Sequence, residues 1–308
     1  SSDVCSSDLM HACGHDIHTS NLLTVAEILN RTKDQWKGKV KLVFQPAEEN
    51  GGGGREMIKA GLMDEIPDAC FALHVENGIP GKIVVGSRYL TAYSDSYKIT
   101  VHGKAAHSST PEEGVDAVYI AASIVTALHG IISRNLSPMD RATLNVGMIH
   151  GGTAPNIIAD EVTLGVMLRN LSKESREAMM KKIETISNGI AESMGGSCDL
   201  AFRAGYAAVY NDEKFSDFVA ATFRKYEDII HEDLGDGKPE DWLITGEHPL
   251  LGAEDFGFYS QKAPSCMIWV GVGGNSPKHS PGFCIDERYI KLCTRAMAMT
   301  ALEYLTKE

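Results

Sequence analysis

The sequence predicts an α/β protein, in which an α/β sheet domain carries an inserted ferredoxin-like (βαββαβ) α+β domain. Short apolar runs alternate with amphipathic helical patterns in the first third of the chain, as in a sheet covered by helices. Between about residues 93 and 206 the order becomes strand, helix, two strands, helix and strand. The first rhythm then resumes, so the two outer segments are expected to form one discontinuous domain.

The composition indicates a globular chain and argues against a nucleic-acid surface. The 308 residues are 43% hydrophobic and 23% charged, and 41 acidic against 29 basic residues give a net charge of −12. A nucleic-acid-binding surface would need a basic patch. The most apolar window, residues 117–132, contains Ser123, Thr126 and His129, so no membrane span is predicted. Seven scattered cysteines, an odd number, favour a reducing cytoplasm over a disulfide framework.

The N-terminal stretch divides into a leader and a residue cluster. Residues 1–9 repeat Ser-Ser-Asp without an apolar period, and we expect them to be unrelated to the fold or artefactual. Residues 10–18 (MHACGHDIH) contain three histidines, a cysteine and an aspartate, and a helical pattern follows directly. Asp16 could cap this helix. Thiolate and imidazole are typical ligands of zinc-like metals, but Cys-x-His alone is a weak motif.

Two apolar runs in the first segment are predicted to be buried strands, and both end in polar residues. Residues 40–44 (VKLVF) lead to Glu48 and Glu49, and residues 69–75 (ACFALHV) include His74 near their end. Four glycines, 51–54, precede a short helix at 55–60. In open α/β sheets, functional groups lie beyond the carboxyl ends of strands. Glu48, Glu49 and His74 are therefore candidate site residues.

The rest of the chain supplies the elements of both domains. In the insertion we predict strands at about 97–101, 143–149, 162–168 and 197–203, with helices from about 115 to 132 and from 174 to 194. After it we predict a helix at 215–230, a buried strand at 266–272, a loop that carries His279, and a final helix at 286–304. The loop adds another imidazole to the candidate set.

The collected side chains predict a binuclear metal site with its own base. Five ligand-type groups and a spare carboxylate would hold two divalent ions, which can activate water and polarise a carbonyl; they are Cys13, His15, Glu48, Glu49, His74 and His279. An acidic pair alone is more often a solvated loop. On an extended backbone neighbouring side chains point in opposite directions, so one glutamate can bind metal while the other acts as base. His107, just before a helix of the insertion, could donate to an oxyanion or be an exposed loop histidine.

Six motifs occur together in one order: 10–16 (MHACGHD), 45–49 (QPAEE), 73–75 (LHV), 151–156 (GGTAPN), 253–256 (AEDF) and 279–283 (HSPGF). With these motifs the chain resembles the di-metal amidohydrolases related to aminoacylase. That branch contains hippurate hydrolases, N-acetyl-diaminopimelate deacetylases and plant auxin-conjugate hydrolases. The resemblance runs from Met10 to the C-terminus, and the motifs are specific jointly rather than singly.

The resemblance implies an organisation and a role for each matching residue. Residues 10–92 and 207–308 would form the catalytic domain, and residues 93–206 a lid domain that mediates homodimerisation. Glu48 corresponds to the general base, His107 to an oxyanion donor, and Asn156 and Arg169 to substrate-binding residues. The ligands of two divalent ions (zinc, manganese, nickel or cobalt) correspond to Cys13, His15, Glu49, His74 and His279, with Cys13 a candidate bridge.

The expected activity is hydrolysis of the amide bond of a small N-acyl amino acid by a cytoplasmic homodimer, without nucleic-acid or membrane partners. Two alternatives stay open: a dipeptidase with the same site, and a non-catalytic homologue. Members of the family carry a longer segment before the Met-His-Ala-Cys motif, so we expect a chain that is shortened at its N-terminus. The residues before Arg169 (Gly165–Leu168) also differ from the family's Gly-Thr-x-Arg pattern.

Overall fold

The computed structural model describes residues 10–274 and 276–306, and the expected leader at residues 1–9 lies outside them. The helices are α1 (His15–Arg31), α2 (Gly53–Lys59), α3 (Ala117–Asn135), α4 (Lys173–Ser193), α5 (Glu213–Lys225), α6 (Glu227–Ile230), α7 (Gly257–Ser260) and α8 (Ile290–Thr306). The strands are β1 (Cys70–Glu76), β2 (Ile83–Gly86), β3 (Arg88–Tyr89), β4 (Tyr93–His102), β5 (Ala106–His107), β6 (Ala142–Gly151), β7 (Ile157–Ile158), β8 (Glu161–Asn170), β9 (Ser197–Tyr206), β10 (Tyr210–Asn211), β11 (Leu243–Gly246) and β12 (Ser265–Gly271).

The first sheet is built from the outer segments and has the strand order β1-β12-β2-β11. β1 pairs with β12 in parallel, β12 with β2 antiparallel, and β2 with β11 in parallel, so the sheet is mixed. Every residue of β12 is buried. Because side chains alternate along a strand, Ile268 and Val270 join the core cluster that contains residues of α5 and α8, whereas Met267 and Trp269 join the cluster on the opposite face.

The second sheet lies within residues 93–206, which we call the inserted unit. Its order is β6-β8-β4-β9, and all three pairings are antiparallel. The elements β4, α3, β6, β8, α4 and β9 follow the predicted βαββαβ order, with the short pair β5 and β7 added. Its core includes buried residues of the helices and the sheet: Ile99, Leu164, Ile124, Leu128 and Ile183. Asp116 caps α3 by accepting from the Val118 N–H at 2.9 Å.

Helix α3 is, among the described residues, the helix that is long and apolar enough to cross a membrane by length and composition. The three polar residues of its sequence therefore do not exclude it on that criterion. Its buried side chains, such as Ile120, Ile124 and Ile131, belong to the core of the inserted unit. This packing is that of a core helix in a globular domain.

Three predictions of secondary structure were wrong in detail. Residues 40–44 form no strand, and the side chains of Val40, Leu42 and Phe44 are 39%, 37% and 43% exposed. A strand needs a hydrogen-bonded neighbour, and apolar composition alone does not supply one. The helix predicted at 215–230 is divided into α5 and α6 at Tyr226. The final helix begins at Ile290, after a 3₁₀ turn at Glu287–Tyr289.

Asp16 does not cap α1, contrary to the sequence prediction. The helix begins at His15, and Gly14 precedes it in a left-handed conformation (φ 78°) without a side-chain cap. A Cβ at Gly14 would lie 2.5 Å from Cγ2 of Val75, so the chain passes β1 too closely for another residue. Asp16 lies in the first turn, where a carboxylate interacts favourably with the helix dipole.

Candidate metal centre

Four chain segments bring the predicted ligands to one place. Cys13 and His15 lie at the turn into α1, His74 lies on β1, and His279 lies in the turn after β12. Glu48 and Glu49 lie in residues 45–52, which we call the carboxylate loop. The loop turns at Ala47, which has φ 57°, and His279 has φ 63°. Left-handed conformations of non-glycine residues are costly and often accompany functional sites.

The ligand atoms form two overlapping groups that share Cys13. One contains Cys13, His15 and His74, the other contains Cys13, Glu49 and His279, and the atoms within each group lie within 4.8 Å of one another. The Cys13 Sγ lies 3.4 Å from Nε2 of His74, and Nε2 of His279 lies 3.3 Å from Oε1 of Glu49. All five predicted ligands are therefore brought together, with Cys13 where a bridging ligand would lie.

The separations and hydrogen bonds fit a pair of divalent ions. Zinc bonds of about 2.0–2.3 Å in a tetrahedron separate neighbouring ligand atoms by about 3.3–3.8 Å. The Nδ1 of His74 lies 2.6 Å from the carbonyl oxygen of Val75, so Nδ1 donates and Nε2 keeps its lone pair toward Cys13. This second contact is the usual way in which a metal-binding histidine is oriented. Mixed thiolate, imidazole and carboxylate ligands leave the metal open among zinc, manganese, nickel and cobalt.

Burial shifts the pKa values of several ligand side chains in the cluster. Burial raises the pKa of the Cys13 thiol to about 12, and the nearby Glu49 carboxylate adds to this shift. Burial also lowers the pKa of His15 and, more strongly, that of His74. Neutral imidazoles are ready to bind metal, whereas the thiol needs a nearby positive charge to lose its proton.

Glu48 lies beside the ligand groups in a carboxylate-rich environment. Its Oε2 lies 3.9 Å from Nε2 of His15, and it forms a further group with Glu254 and Asp255 within 4.8 Å. Burial raises the pKa of Glu48 to about 7, and Glu49 and Asp255 contribute to the shift. A carboxyl group with a pKa near neutrality can both take and return a proton. Burial together with Glu48 also raises the pKa of Glu254 well above its usual value.

The carboxylate loop is held in place by Asp255, a residue without a predicted role. Asp255 is 1% exposed, and both its carboxylate oxygens accept hydrogen bonds from Nε2 of Gln45 at 2.7 Å. It also accepts from the Gly54 N–H at 3.0 Å, and the Tyr259 hydroxyl donates to Oε1 of Gln45 at 2.7 Å. Asp255 lies in the motif at 253–256, so its presence there was the available signal.

Three further contacts fix the elements that carry ligands. His18, in the motif but not among the predicted ligands, accepts a hydrogen bond from the Val75 N–H at 3.1 Å through Nε2 and so supports the end of β1. The His279 N–H donates to the carbonyl oxygen of Ala12 at 2.8 Å. Lys278 Nζ lies 2.7 Å from Oε2 of Glu76. The loop after β12 is thereby joined to the turn before α1 and to β1.

The structure brings His107 and Asn156 together in the inserted unit. His107 on β5 is opposite Ile157 on β7, and the Ser108 N–H donates to the carbonyl oxygen of Asn156 at 3.0 Å. The Nδ1 of His107 accepts from the Ser109 N–H at 3.2 Å, which places the ring proton on Nε2. His107 is exposed, so Nε2–H is available as a donor. None of the hydrogen bonds of the described residues joins either residue to the ligand cluster.

Arg169 lies on β8, opposite Ser94 on β4, and is only partly exposed. Its Nη1 is buried without a hydrogen-bond partner among the described residues. Burial lowers the pKa of Arg169, and the nearby Asp95 acts in the opposite direction. The predicted contact with a substrate carboxylate stays a prediction.

Together, the α/β fold and the Cys/His/Glu cluster at the first sheet are those of a metal-binding hydrolase, and the comparisons with known proteins identify the bond that it cleaves as an amide. Residues 3–303 match the model of Peptidase family M20/M25/M40, and the chain belongs to this family. The resemblance to di-metal amidohydrolases is thereby confirmed.

Three relatives illustrate the range of the family. Thermostable carboxypeptidase 2 of Saccharolobus solfataricus is 32% identical, over 97% of this chain and 74% of that protein. N-acetyldiaminopimelate deacetylase of Streptococcus uberis is 34% identical, over 92% of this chain and 72% of that protein. The crystal structure of a dinuclear metal-binding peptidase from Bacillus subtilis superimposes with a TM-score of 0.80 at 27% identity, covering 96% of this chain and 73% of the other.

Proposed function

We propose that this chain hydrolyses the amide bond of N-acyl amino acids, to a carboxylate and a free amino acid, with two divalent metal ions. The observation that supports this most directly is the cluster of five ligands in two groups that share Cys13. Glu48 lies beside this cluster and has a carboxylate that belongs to neither group. The deacetylase relative acts, by its name, on an N-acetyl amino acid. Glu49, His15, His74, His279 and Cys13 would hold the ions, which supply Lewis acidity and lower the pKa of water.

In this mechanism Glu48 takes a proton from the attacking water as the new carbon–oxygen bond forms at the acyl carbonyl. The Nε2–H of His107 donates to the oxyanion of the tetrahedral intermediate, and its Nδ1 contact with Ser109 keeps the proton on that nitrogen. Glu48 then delivers its proton to the amine nitrogen as the carbon–nitrogen bond breaks. Arg169 pairs with the substrate carboxylate, as guanidinium groups do, and Asn156 contributes a polar contact.

The alternative, a dipeptidase, would use the same residues on a substrate with a different acyl portion. It is favoured by the carboxypeptidase relative and by the peptidase crystal structure. The amino acid that leaves carries a carboxylate in both cases, so the ligand cluster does not separate the two. The substrate side that differs is the acyl portion, which is a simple acid in one case and an amino acid in the other.

A substrate panel separates these activities. The protein is loaded in turn with zinc, manganese, nickel or cobalt and assayed for amine release from N-acetyl and N-benzoyl amino acids and from dipeptides. We expect about two ions per chain and faster turnover of acyl amino acids, abolished by a chelator. Faster turnover of dipeptides would establish the peptidase alternative. If the protein binds no metal and hydrolyses no member of the panel, both enzymatic hypotheses are rejected. The chain would then be a non-catalytic homologue.

We propose further that residues 93–206 form a lid domain through which two chains dimerise. The strand β6 is an edge of the second sheet, and its side chains Met148 and Ile149 are 57% and 53% exposed. An unpaired edge with apolar side chains favours pairing with a second copy. Light scattering coupled to gel filtration should give twice the chain mass, and Ile149→Lys should return it to the monomer value. A monomer in the unsubstituted protein contradicts the proposal.

A further inference from the structure

Tyr206, the last residue of β9, contacts the carboxylate loop at the general base itself. Its hydroxyl donates a hydrogen bond to the carbonyl oxygen of Glu48. The side chain is partly buried, and its ring lies 6.1 Å from the ring of Phe258, in an edge arrangement. A peptide carbonyl held in this way fixes the backbone from which the Glu48 carboxylate projects.

The packing around this contact leaves little room for adjustment. Gly52 has φ 69°, and a Cβ there would lie 3.0 Å from Cε1 of Tyr206 and 3.2 Å from the ring of Phe258. The close approach of the loop to the tyrosine therefore depends on a glycine at position 52. The carboxylate loop and the end of β9 are therefore closely packed against each other.

Arg55, from α2, makes a second link between the same two segments. Its Nη2 donates to the carbonyl oxygen of Gly51 at 3.2 Å, and its Nη1 lies 3.4 Å from the carbonyl oxygens of Ala204 and Gly205. Its guanidinium also lies 5.4 Å from the centre of the Phe258 ring. The carboxylate loop is thus bound to β9 at two points, one on each side of Glu49.

The end of β9 is in turn fixed to the inserted unit. The Gly205 N–H donates to Oδ1 of Asp95 at 3.3 Å, and Asp95 is held by two hydrogen bonds from Arg176 on α4, at 2.6 and 2.9 Å. β9 pairs with β4 along its length. A continuous set of contacts therefore runs from the sheet of the inserted unit, through Tyr206, to the backbone of Glu48.

We propose that Tyr206 is a positioning residue for Glu48. Through its hydroxyl, Tyr206 fixes the position of the carboxylate loop relative to the second sheet. The proposal rests on the function proposed above, in which Glu48 moves the proton. A general base must be within hydrogen-bond reach of that proton, and small displacements reduce the rate strongly. Without the phenol hydroxyl, the Glu48 carbonyl loses its anchor, whereas Cys13, His15, His74 and His279 lie on other segments and keep their contacts.

The test compares Tyr206→Phe with Tyr97→Phe, which removes the phenol that donates to Glu184 at 3.0 Å inside the inserted unit. In the metal-loaded protein, Tyr206→Phe should lower kcat about tenfold with KM and metal content unchanged, as expected for loss of one hydrogen bond. In the metal-free protein, hydrogen–deuterium exchange should be faster in residues 46–54 alone. Tyr97→Phe should leave both measurements unchanged. If Tyr206→Phe has the same kcat and the same exchange in residues 46–54 as the unsubstituted protein, the proposal is overturned.

A double-mutant cycle with Arg55→Met adds a second criterion. If both side chains fix the same loop, Tyr206→Phe should reduce kcat by a smaller factor in the Arg55→Met background than in the natural chain. Independent, multiplicative effects would overturn the shared role. If the unsubstituted protein hydrolyses nothing in the panel, the proposed function fails, whereas the exchange measurement still decides whether Tyr206 positions the loop.

Discussion

Gln45 and Asp255, far apart in the sequence, are joined by two hydrogen bonds of 2.7 Å from one amide nitrogen to both carboxylate oxygens. Asp255→Asn places a second amide against Gln45 and weakens the acceptor of the Gly54 N–H. Hydrogen bonds to a buried charge contribute about 1.5–3 kcal/mol, so we expect the free energy of unfolding to fall by about 2 kcal/mol. Turnover should fall as well, because the loop carries Glu48.

Urea denaturation and steady-state kinetics on the same preparations measure the two effects. The matched control is Asp241→Asn, whose carboxylate is exposed and pairs with Lys82 at the surface. That substitution should change neither quantity appreciably. An Asp255→Asn protein with natural stability and natural turnover would show that the Gln45 contact does not hold the loop.

The division of labour between the adjacent glutamates predicts two different phenotypes. Glu48→Gln should retain about two metal ions and lose about 10²–10⁴-fold in kcat, because it removes the proton carrier and leaves the ligands. Glu49→Gln should lose metal, since the Glu49 carboxylate faces His279 at 3.3 Å and His15 at 3.8 Å. Elemental analysis and kcat measured together distinguish the roles. If Glu49→Gln retains metal and Glu48→Gln loses it, Glu48 is the ligand and Glu49 the proton carrier.

Gly14 is expected to tolerate no side chain. With φ 78° and a Cβ position 2.5 Å from Val75, Gly14→Ala must displace the turn that carries Cys13 and His15. We expect metal affinity to fall at least tenfold, measured by competition with a chromophoric chelator. Gly189→Ala is the control, because Gly189 lies in α4 with open space around its Cβ position. It should raise stability by up to about 1 kcal/mol and leave affinity unchanged.

Arg176 is expected to contribute strongly to the stability of the inserted unit. Asp95 is 2% exposed, and Arg176 is its bidentate partner. Arg176→Met leaves a buried carboxylate without its cation, a change that typically costs about 3–5 kcal/mol. Lys173→Met removes an exposed partner of Glu177 and should have little effect. Thermal unfolding that is equally affected by the two substitutions would contradict this ranking.

The pH dependence of stability should contain a contribution from His231. This side chain is buried against Trp242, with ring centres 4.4 Å apart, and burial lowers its pKa. In the unfolded chain it takes up a proton at about pH 6.5, whereas the folded protein resists protonation. The free energy of unfolding should therefore fall as the pH drops below about 6.5. His231→Leu should flatten this part of the profile, and an unchanged slope would contradict the assignment.

Much of the site could be read from the sequence because its residues occur in short local motifs. Cys13 and His15 lie in one short motif and Glu48 and Glu49 in another, and their residue types already indicate metal and proton chemistry. The inserted unit was equally readable, since its strands and helices have clear periods of two and 3.6 residues. Its order β6-β8-β4-β9 agrees with the predicted βαββαβ arrangement.

The parts that could not be predicted depend on partners distant in sequence. The apolar pattern of residues 40–44 is typical of a strand, but pairing decides whether a strand forms, and none is present there. Asp255 and Tyr206 show no chemistry by themselves, and their importance comes from Gln45 and from the Glu48 carbonyl. Asp16 does not cap α1 because the helix begins one residue before it, at His15, directly after the Gly14 that packs against β1.

The bond from the His279 N–H to the Ala12 carbonyl brings nearly the whole described chain into a single closed loop at the site. Closing so long a loop costs configurational entropy. Folding itself closes the loop, so this cost does not fall on ion binding. An ion bound by Cys13 and His279 would therefore link the two ends of this loop and stabilise the folded chain. Metal affinity and global stability become linked quantities, because an ion that binds only the folded chain adds its binding free energy to the free energy of unfolding.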